Sequence, residues 1–304
     1  MYYYYAYTCL IESVFPFPEF VPVRAEKMKD AIPDITICYG EVPGELNNPT
    51  GCGELYQASL NQFLLKLDHI ASYLVLNGNK IIVQPAPDSI ESDIRVFLLG
   101  SCIGALLHQR GVLALHASGI GSESGAVLFT GVSGAGKSTL LGELLNRGCR
   151  MMVDDVCAVV NDNKGVPTIL PAYPRTRLWA DSAQKLSQDI TKMPRTRPSM
   201  EKYERQASEF FWDTPAPLRR IYHLTSDNNN ELRLLPMSRF EIFNTVRHNT
   251  YRQIFLDGLE MRKPHFDLVS SVTSTVTMRC VVRPSGCFLL KELADLVMED
   301  MACS

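Results

Sequence analysis

The hydrophobic rhythm changes along the chain, and that change divides it. Over residues 1 to about 90, apolar positions fall in short runs bounded by Pro, Gly and Asn. Asp34–Tyr39, Phe63–Leu67, Ser72–Leu76 and Lys80–Gln84 read as strands. Asn77-Gly78-Asn79 is a hairpin-turn signal between the last two. The opening run of tyrosines suits a pleated, half-buried strand. From Ser92 to His108 the spacing becomes helical. Strand-like runs follow at Val112–Ile120 and Ala126–Thr130, and then Leu140, Leu141, Leu144 and Leu145 recur at helical spacing, with Gly148 as a stop.

Farther on, Met151–Val160 is apolar except for two adjacent acids. Arg219–Leu224, Glu231–Leu235 and Val276–Val282 read as strands, Ser238–Leu256 and Phe288–Glu299 as helices. The pattern predicts a β-rich region at 1–90 and an α/β domain at 91–304. Between Asp189 and Pro217 it breaks down: prolines interleave with Lys192, Arg195, Arg197, Lys202 and Arg205. A mobile basic loop at 189–217, able to close over a ligand, is expected there.

Composition narrows the classes. A 46% hydrophobic content over 304 residues supports a substantial core, and a formal net charge of -3 does not point to nucleic acid as a partner. The nine cysteines are scattered with no C-x-x-C pair, which favours reduced thiols over a zinc site or disulfide framework. The N-terminus lacks a basic region followed by an apolar run, and Val96–Leu107 is too short to span a bilayer. A cytoplasmic protein with no membrane association is expected.

The most informative segment is Gly131-Val-Ser-Gly-Ala-Gly-Lys-Ser-Thr139, a complete G-x-x-x-x-G-K-[ST] phosphate-binding loop between a predicted strand and a predicted helix. Gly131, Gly134 and Gly136 permit backbone angles closed to other residues, so successive N–H groups and the helix N-terminus can cradle phosphates. Lys137 reaches the β/γ-phosphates and the Ser138 hydroxyl is placed to ligate Mg²⁺. Gly131, Ser133, Gly134, Ala135, Gly136, Lys137, Ser138 and Thr139 are therefore the candidate ATP-binding set.

Two segments flank this loop. If Val112–Ile120 and Ala126–Thr130 form a hairpin, Ile120 lies opposite Ala126 and His116 opposite Thr130, at the mouth of the cradle; a bulge would turn His116 to the other face. Downstream, Asp154 and Asp155 interrupt an apolar run. Two such carboxylates are costly to bury without a cation, which a Mg²⁺–polyphosphate complex supplies. A right-handed β-α-β unit would bring this strand back beside the loop strand. One acid could then hold Mg²⁺ and the other accept a hydroxyl proton from the acceptor.

His116-Ala117-Ser118-Gly119, the phosphate loop and the closely following Asp154-Asp155 pair together resemble the HPr kinase/phosphorylase-like family, most clearly over residues 112–160. The resemblance extends more weakly through Pro174–Trp179 into the C-terminal third. It implies a P-loop-containing mixed α/β sheet of the phosphoenolpyruvate-carboxykinase-like type and phosphorylation of serine in a protein or peptide. On it, Asp154 is the metal-side acid, Asp155 the base towards the serine hydroxyl and His116 its supporting partner, a division of roles that could be reversed. Arg175 and Arg177 would steady the transferred phosphoryl group. The chain departs from bona fide HPr kinases in lacking a Glu-Ile-Arg-Gly-Leu-Gly-type segment after the acids, which points away from HPr as acceptor. It is more similar to the kinase-like proteins that phosphorylate the C-terminal serine of lasso-peptide precursors. The implied cofactors are ATP and Mg, the implied partner a peptide with an acceptor serine, and ring-like relatives leave a homo-oligomer open. A non-catalytic nucleotide-responsive module, an ATPase and a free-serine kinase are the competing readings.

Overall fold

The computed structural model describes residues 1–23, 31–186, 189, 191, 193–196, 201–286 and 289–302. The chain forms two compact units, Met1–Ala114 with Thr250–Leu268, and Leu115–Asn249 with Val269–Ser304. The boundary expected at residue 90 falls inside the first unit. The helical segment beyond it is tied to the sheet: Tyr73 Oη donates to the Ile94 carbonyl, and the Gln109 amide donates to the Val75 carbonyl.

The first unit is built on β1 (Tyr2–Ala6), β2 (Cys9–Ser13), β3 (Val21–Pro22), β4 (Ile35–Tyr39), β5 (Gly51–Cys52), β6 (Tyr56–Ser59), β7 (Gln62–Leu67), β8 (Ala71–Leu76) and β9 (Lys80–Pro85). Among the described residues these make one nine-stranded sheet in the order β3-β1-β2-β4-β9-β8-β7-β6-β5. The strands foreseen from alternation are present with shifted ends, and Asn77 and Gly78 turn between β8 and β9 with φ of 53° and 65°. The predicted helix over 92–108 is two helices, α1 (Glu91–Phe97) and α2 (Ile103–Gln109), joined by a π-helical turn at Leu98–Cys102.

The second unit begins with β10 (Leu113–Ser122) and β11 (Gly125–Thr130), followed by α3 (Lys137–Asn146), β12 (Arg150–Asn161), β13 (Pro167–Leu170), β14 (Arg175–Trp179), α4 (Ala180–Lys185), β15 (Lys202–Gln206), β16 (Ala216–Asp227), β17 (Arg233–Pro236) and α5 (Arg239–His248). The short helix α6 (Phe255–Gly258) belongs to the first unit, α7 (Arg262–Thr275) runs across the division, and β18 (Thr277–Pro284) and α8 (Leu290–Ala302) complete the chain. Among the described residues the main sheet has seven strands, ordered β11-β10-β12-β13-β16-β18-β17, and β11 also pairs with β16. Parallel β11–β16 and β16–β18 pairs sit beside antiparallel β10–β11 and β12–β13, so this is a mixed α/β fold. The leucines of α3 pack with Phe129, Tyr222, Leu293, Ala294 and Val297 in a buried core on one face of the sheet.

Several expectations change. The β10–β11 hairpin closes through Glu123 and Ser124, because the strands continue to Ser122 and Gly125. Ile120 therefore lies opposite Val127, one residue from the expected register. The acid-bearing β12 does not return beside β11; β10 lies between them. The helix predicted for Ser238–Leu256 stops at His248, because the next residues turn to bond β10: Asn249 O accepts from His116 N–H and Ala114 O from Tyr251 N–H. Helix α7 was not foreseen, its Pro264 lying in the first turn where proline is tolerated.

The loop expected over 189–217 is in part regular structure. β15 pairs with β14 along its length, Ser208–Phe210 is a 3₁₀ turn, and β16 starts at Ala216. Lys192 and Arg197 of that prediction lie outside the described residues. Arg195, which is described, lies over the Tyr203 ring at 5.7 Å. No described helix is long and apolar enough to cross a membrane.

Candidate active site

The end of β11 and the start of α3 are joined by the glycine-rich loop, and three glycines set its path. Gly131, Gly134 and Gly136 have φ of 142°, 84° and 98°. At Gly131 the need is also steric, since a Cβ would lie 2.6 Å from the Leu224 carbonyl oxygen and 3.0 Å from the Ala135 Cβ. The loop leads into the N-terminus of α3, where unpaired N–H groups and the helix dipole favour an anion. Lys137 is buried and its ammonium donates to the carbonyls of Gly131 (2.8 Å) and Val132 (3.2 Å). Burial lowers its pKa, while Asp154 and Asp155 act in the opposite sense.

Around this loop lies a cavity of about 580 Å³. Its lining brings together His116, Ser133, Gly134, Gly136, Lys137, Ser138, Thr139, Asp154, Asp155 and Arg177. Gly131 and Ala135 are buried members of the loop and do not line the cavity. Arg175, named as a phosphoryl contact, does not line it; that guanidinium is 2.5 Å from Glu204 and 3.1 Å from the Gln206 side-chain oxygen. The lining also includes Trp179, Asp181, Ser182, Glu201 and Lys202; of these, Lys202 belongs to the basic stretch expected to close over a ligand.

The interposed strand β10 explains how the acids are held. His116 and Ser118 are two residues apart and so share a face of β10. Ser118 Oγ donates to Asp154 Oδ1 at 2.6 Å, and Ser138 Oγ donates to the same oxygen at 2.9 Å. The Arg177 N–H donates to Asp154 Oδ2 at 3.0 Å. Burial pushes the Asp154 carboxyl upward, the Asp155 charge adds to this, and these three hydrogen bonds oppose it.

Asp155 has different partners. His116 Nδ1 is 3.2 Å from its Oδ1, and Arg177 Nη1 is 3.2 Å from its Oδ2. Burial alone would raise this carboxyl. The hydrogen bond from His116 and the charges of Arg177, His116 and Lys202 outweigh burial and hold it well below the usual carboxylate range. Two adjacent acids are thus split, one hydrogen-bonded by two serine hydroxyls and a main-chain N–H, the other paired with an arginine and a histidine. Consecutive strand residues normally face opposite ways, but Asp155 has φ of 83°, and this twist turns both acids to the cavity.

Two supports were invisible in the sequence. Glu204 of β15 is buried between Arg175 and Arg177, and so steadies the arginine that meets Asp155. Asn249, just past α5, accepts from the Gly131 N–H through its Oδ1 at 3.1 Å. Both depend on strand pairing and helix termination distant in sequence, and neither lies in a recognisable motif.

The Ser138 hydroxyl and the Asp154 carboxylate form a hard oxygen pair at hydrogen-bonding distance. That donor set fits Mg²⁺, which takes one or two protein oxygens and completes its shell with phosphates and water. No family model matches the chain, and no curated protein matches it. Among solved structures it is similar to the HPr(Ser) kinase/phosphatase from Coxiella burnetii, at 12% identity and a TM-score of 0.32, over 62% of this chain and 90% of that chain. With a likeness this distant, the functional case rests on the cavity itself.

Proposed function

We propose that this protein is a Mg²⁺- and ATP-dependent kinase that phosphorylates a serine hydroxyl of a peptide. The observation that carries the reading is the convergence of Lys137, Ser138, Asp154 and Asp155 on one cavity, with the two acids in opposite electrostatic settings. A phosphate binder without chemistry needs the loop and the lysine. It has no need of a second, ionised carboxylate paired with a histidine and an arginine.

Phosphoryl transfer depends on positioning and charge stabilisation. The loop amides and the α3 N-terminus would hold the β- and γ-phosphates, and Lys137 would turn from its carbonyl partners to them. Ser138 and Asp154 would hold Mg²⁺, which when bound neutralises charge on the phosphate oxygens. Asp155 would accept the proton of the acceptor serine as its Oγ–P bond forms and the bond from the γ-phosphorus to the β-phosphate oxygen breaks, releasing ADP. Ionised Asp155 is placed to orient that hydroxyl, and His116 and Arg177 hold the carboxylate in place. Arg177 is also close enough to the acid pair to offset charge on the transferring group.

The sequence resemblance narrows the acceptor to a lasso-peptide precursor phosphorylated on its C-terminal serine. The test is mass spectrometry of serine-terminated peptides, HPr and free serine after incubation with ATP and Mg²⁺, with Asp155→Asn alongside. One added phosphate on a peptide, absent in the variant, is expected. Phosphoserine formed from the free amino acid would replace the peptide by a small molecule, and nucleotide binding with no phosphorylated acceptor would overturn the kinase reading.

A further inference from the structure

We infer that Asn249 is the positioning residue of the glycine-rich loop, and that its side chain and main chain perform separable tasks. The side chain sets the loop for its phosphate ligand, and the main-chain carbonyl sets His116. The inference rests on the proposed nucleotide site and adds a residue that belongs to none of its motifs.

Asn249 follows the last turn of α5, and its own N–H still bonds back to the Thr245 carbonyl at 3.0 Å. Its side-chain nitrogen donates to that same carbonyl at 2.8 Å, and its side-chain oxygen accepts from the Gly131 N–H at 3.1 Å. A helix carbonyl can only accept and a main-chain N–H can only donate, so the orientation of the amide is determined by its partners. Two bonds to one carbonyl make α5 a fixed mount for the oxygen that reaches the loop. The Asn249 carbonyl meanwhile accepts from the His116 N–H at 2.7 Å.

Gly131 is the point where this matters. Its N–H is held by Asn249 and its carbonyl by the Lys137 ammonium. A phosphate that draws the ammonium away weakens the second restraint, and the Asn249 bond then keeps the first residue of the loop in register. A Cβ at Gly131 would meet the Leu224 carbonyl oxygen at 2.6 Å, so that carbonyl closes the space on the Cβ side of the loop's first residue. Helix α5 is thereby tied both to the anion cradle and, through His116, to Asp155.

Replacement of the side chain alone separates the two tasks. In Asn249→Ala the carbonyl remains, so the His116–Asp155 arrangement and the pH profile of phosphoryl transfer should match wild type. The Kd for a fluorescent ATP analogue with Mg²⁺ should rise about tenfold, the loss expected for one buried hydrogen bond, with KM for ATP rising in step. Hydrogen exchange at the Gly131 amide should accelerate while the α5 amides stay protected, a pattern that general destabilisation would not give. Asn249→Ser, polar but too short to reach the loop, should behave alike and serves if the alanine variant does not fold. Unchanged nucleotide affinity in a folded variant would overturn the inference, as would unchanged exchange at Gly131. Failure of the wild-type protein to bind either ATP or pyrophosphate would instead overturn the nucleotide site itself, and this inference with it.

Discussion

Asp154 and Asp155 are consecutive residues of one strand, yet both carboxylates line the same cavity. The positive φ of Asp155 makes this happen, and aspartate is one of the few non-glycine residues that tolerates such an angle. The same twist gives each acid its own side-chain partners, Ser118 and Ser138 for Asp154 and His116 and Arg177 for Asp155, while the Arg177 main-chain N–H also donates to Asp154. A functional demand and a backbone constraint thus fall on one residue.

They can be separated by substitution. Asp155→Asn keeps a side chain suited to positive φ, so the variant should fold and bind nucleotide while phosphoryl transfer drops by on the order of 10²–10⁴. Asp155→Val should lose activity and also about 1–3 kcal/mol of stability, because a β-branched side chain resists that angle. Denaturant titration of the two variants beside single-turnover kinetics checks both; an active Asp155→Asn enzyme would remove Asp155 from the chemistry.

The loop glycines should differ sharply. Gly131→Ala drives a Cβ to 2.6 Å from the Leu224 carbonyl at a φ of 142°, so the protein itself should be destabilised. Gly134→Ala meets open space, and its cost, about 1 kcal/mol from the positive φ, should appear mainly as weaker nucleotide binding. Thermal unfolding without ligand distinguishes them: a Gly131→Ala protein as stable as Gly134→Ala would contradict the packing beneath the loop.

Glu204 is a buried carboxylate between two arginines. Its replacement by alanine removes the carboxylate that Arg175 and Arg177 share, leaving Arg177 its contact with Asp155, and breaking such a buried pair costs roughly 3–5 kcal/mol. Glu204→Ala should therefore be far less stable than wild type in urea. Any fraction that stays folded should show reduced transfer, because Arg177 loses a support. A difference below about 1 kcal/mol would mean that water reaches the cluster.

His108, in the first unit, is buried with its Nε2 2.8 Å from the Tyr251 carbonyl. Burial lowers its pKa to about 4, against hydrogen bonding to the backbone. In the unfolded chain the imidazole takes up a proton near its ordinary pKa, about 6.5. The unfolded state then binds more protons than the folded one, and stability falls as pH drops through this window. The slope attributable to His108 is at most about 1.4 kcal/mol per pH unit. Unfolding curves between those two pH values should show this loss in wild type and a flatter profile in His108→Gln. Equal slopes in the two proteins would rule out the buried neutral imidazole.

Local signals carried much of this molecule into view. Short alternating runs marked most of the strands, and the spacing of Leu140, Leu141, Leu144 and Leu145 marked α3, since burial on one face leaves a period in sequence. The glycine-rich loop was legible because its backbone demands residues without a Cβ. The adjacent acids stood out because charge in an apolar run requires a reason. What the sequence could not supply was every relation set by pairing between distant segments. The hairpin register turned on where two strands chose to stop, and a shift of a single residue moves every side chain to the other face. The strand order placed β10 between loop and acids, so that His116 and Ser118, rather than β11, meet the carboxylates. Glu204 and Asn249 reach the site through a strand pair and a helix end whose partners lie far away along the chain. Residue types and their spacing thus determined which chemistry is available, because that depends on local geometry. Apart from His116 and Arg177, which the family resemblance had named, the groups that support it were decided by tertiary structure, because long-range packing leaves no period for a sequence to display.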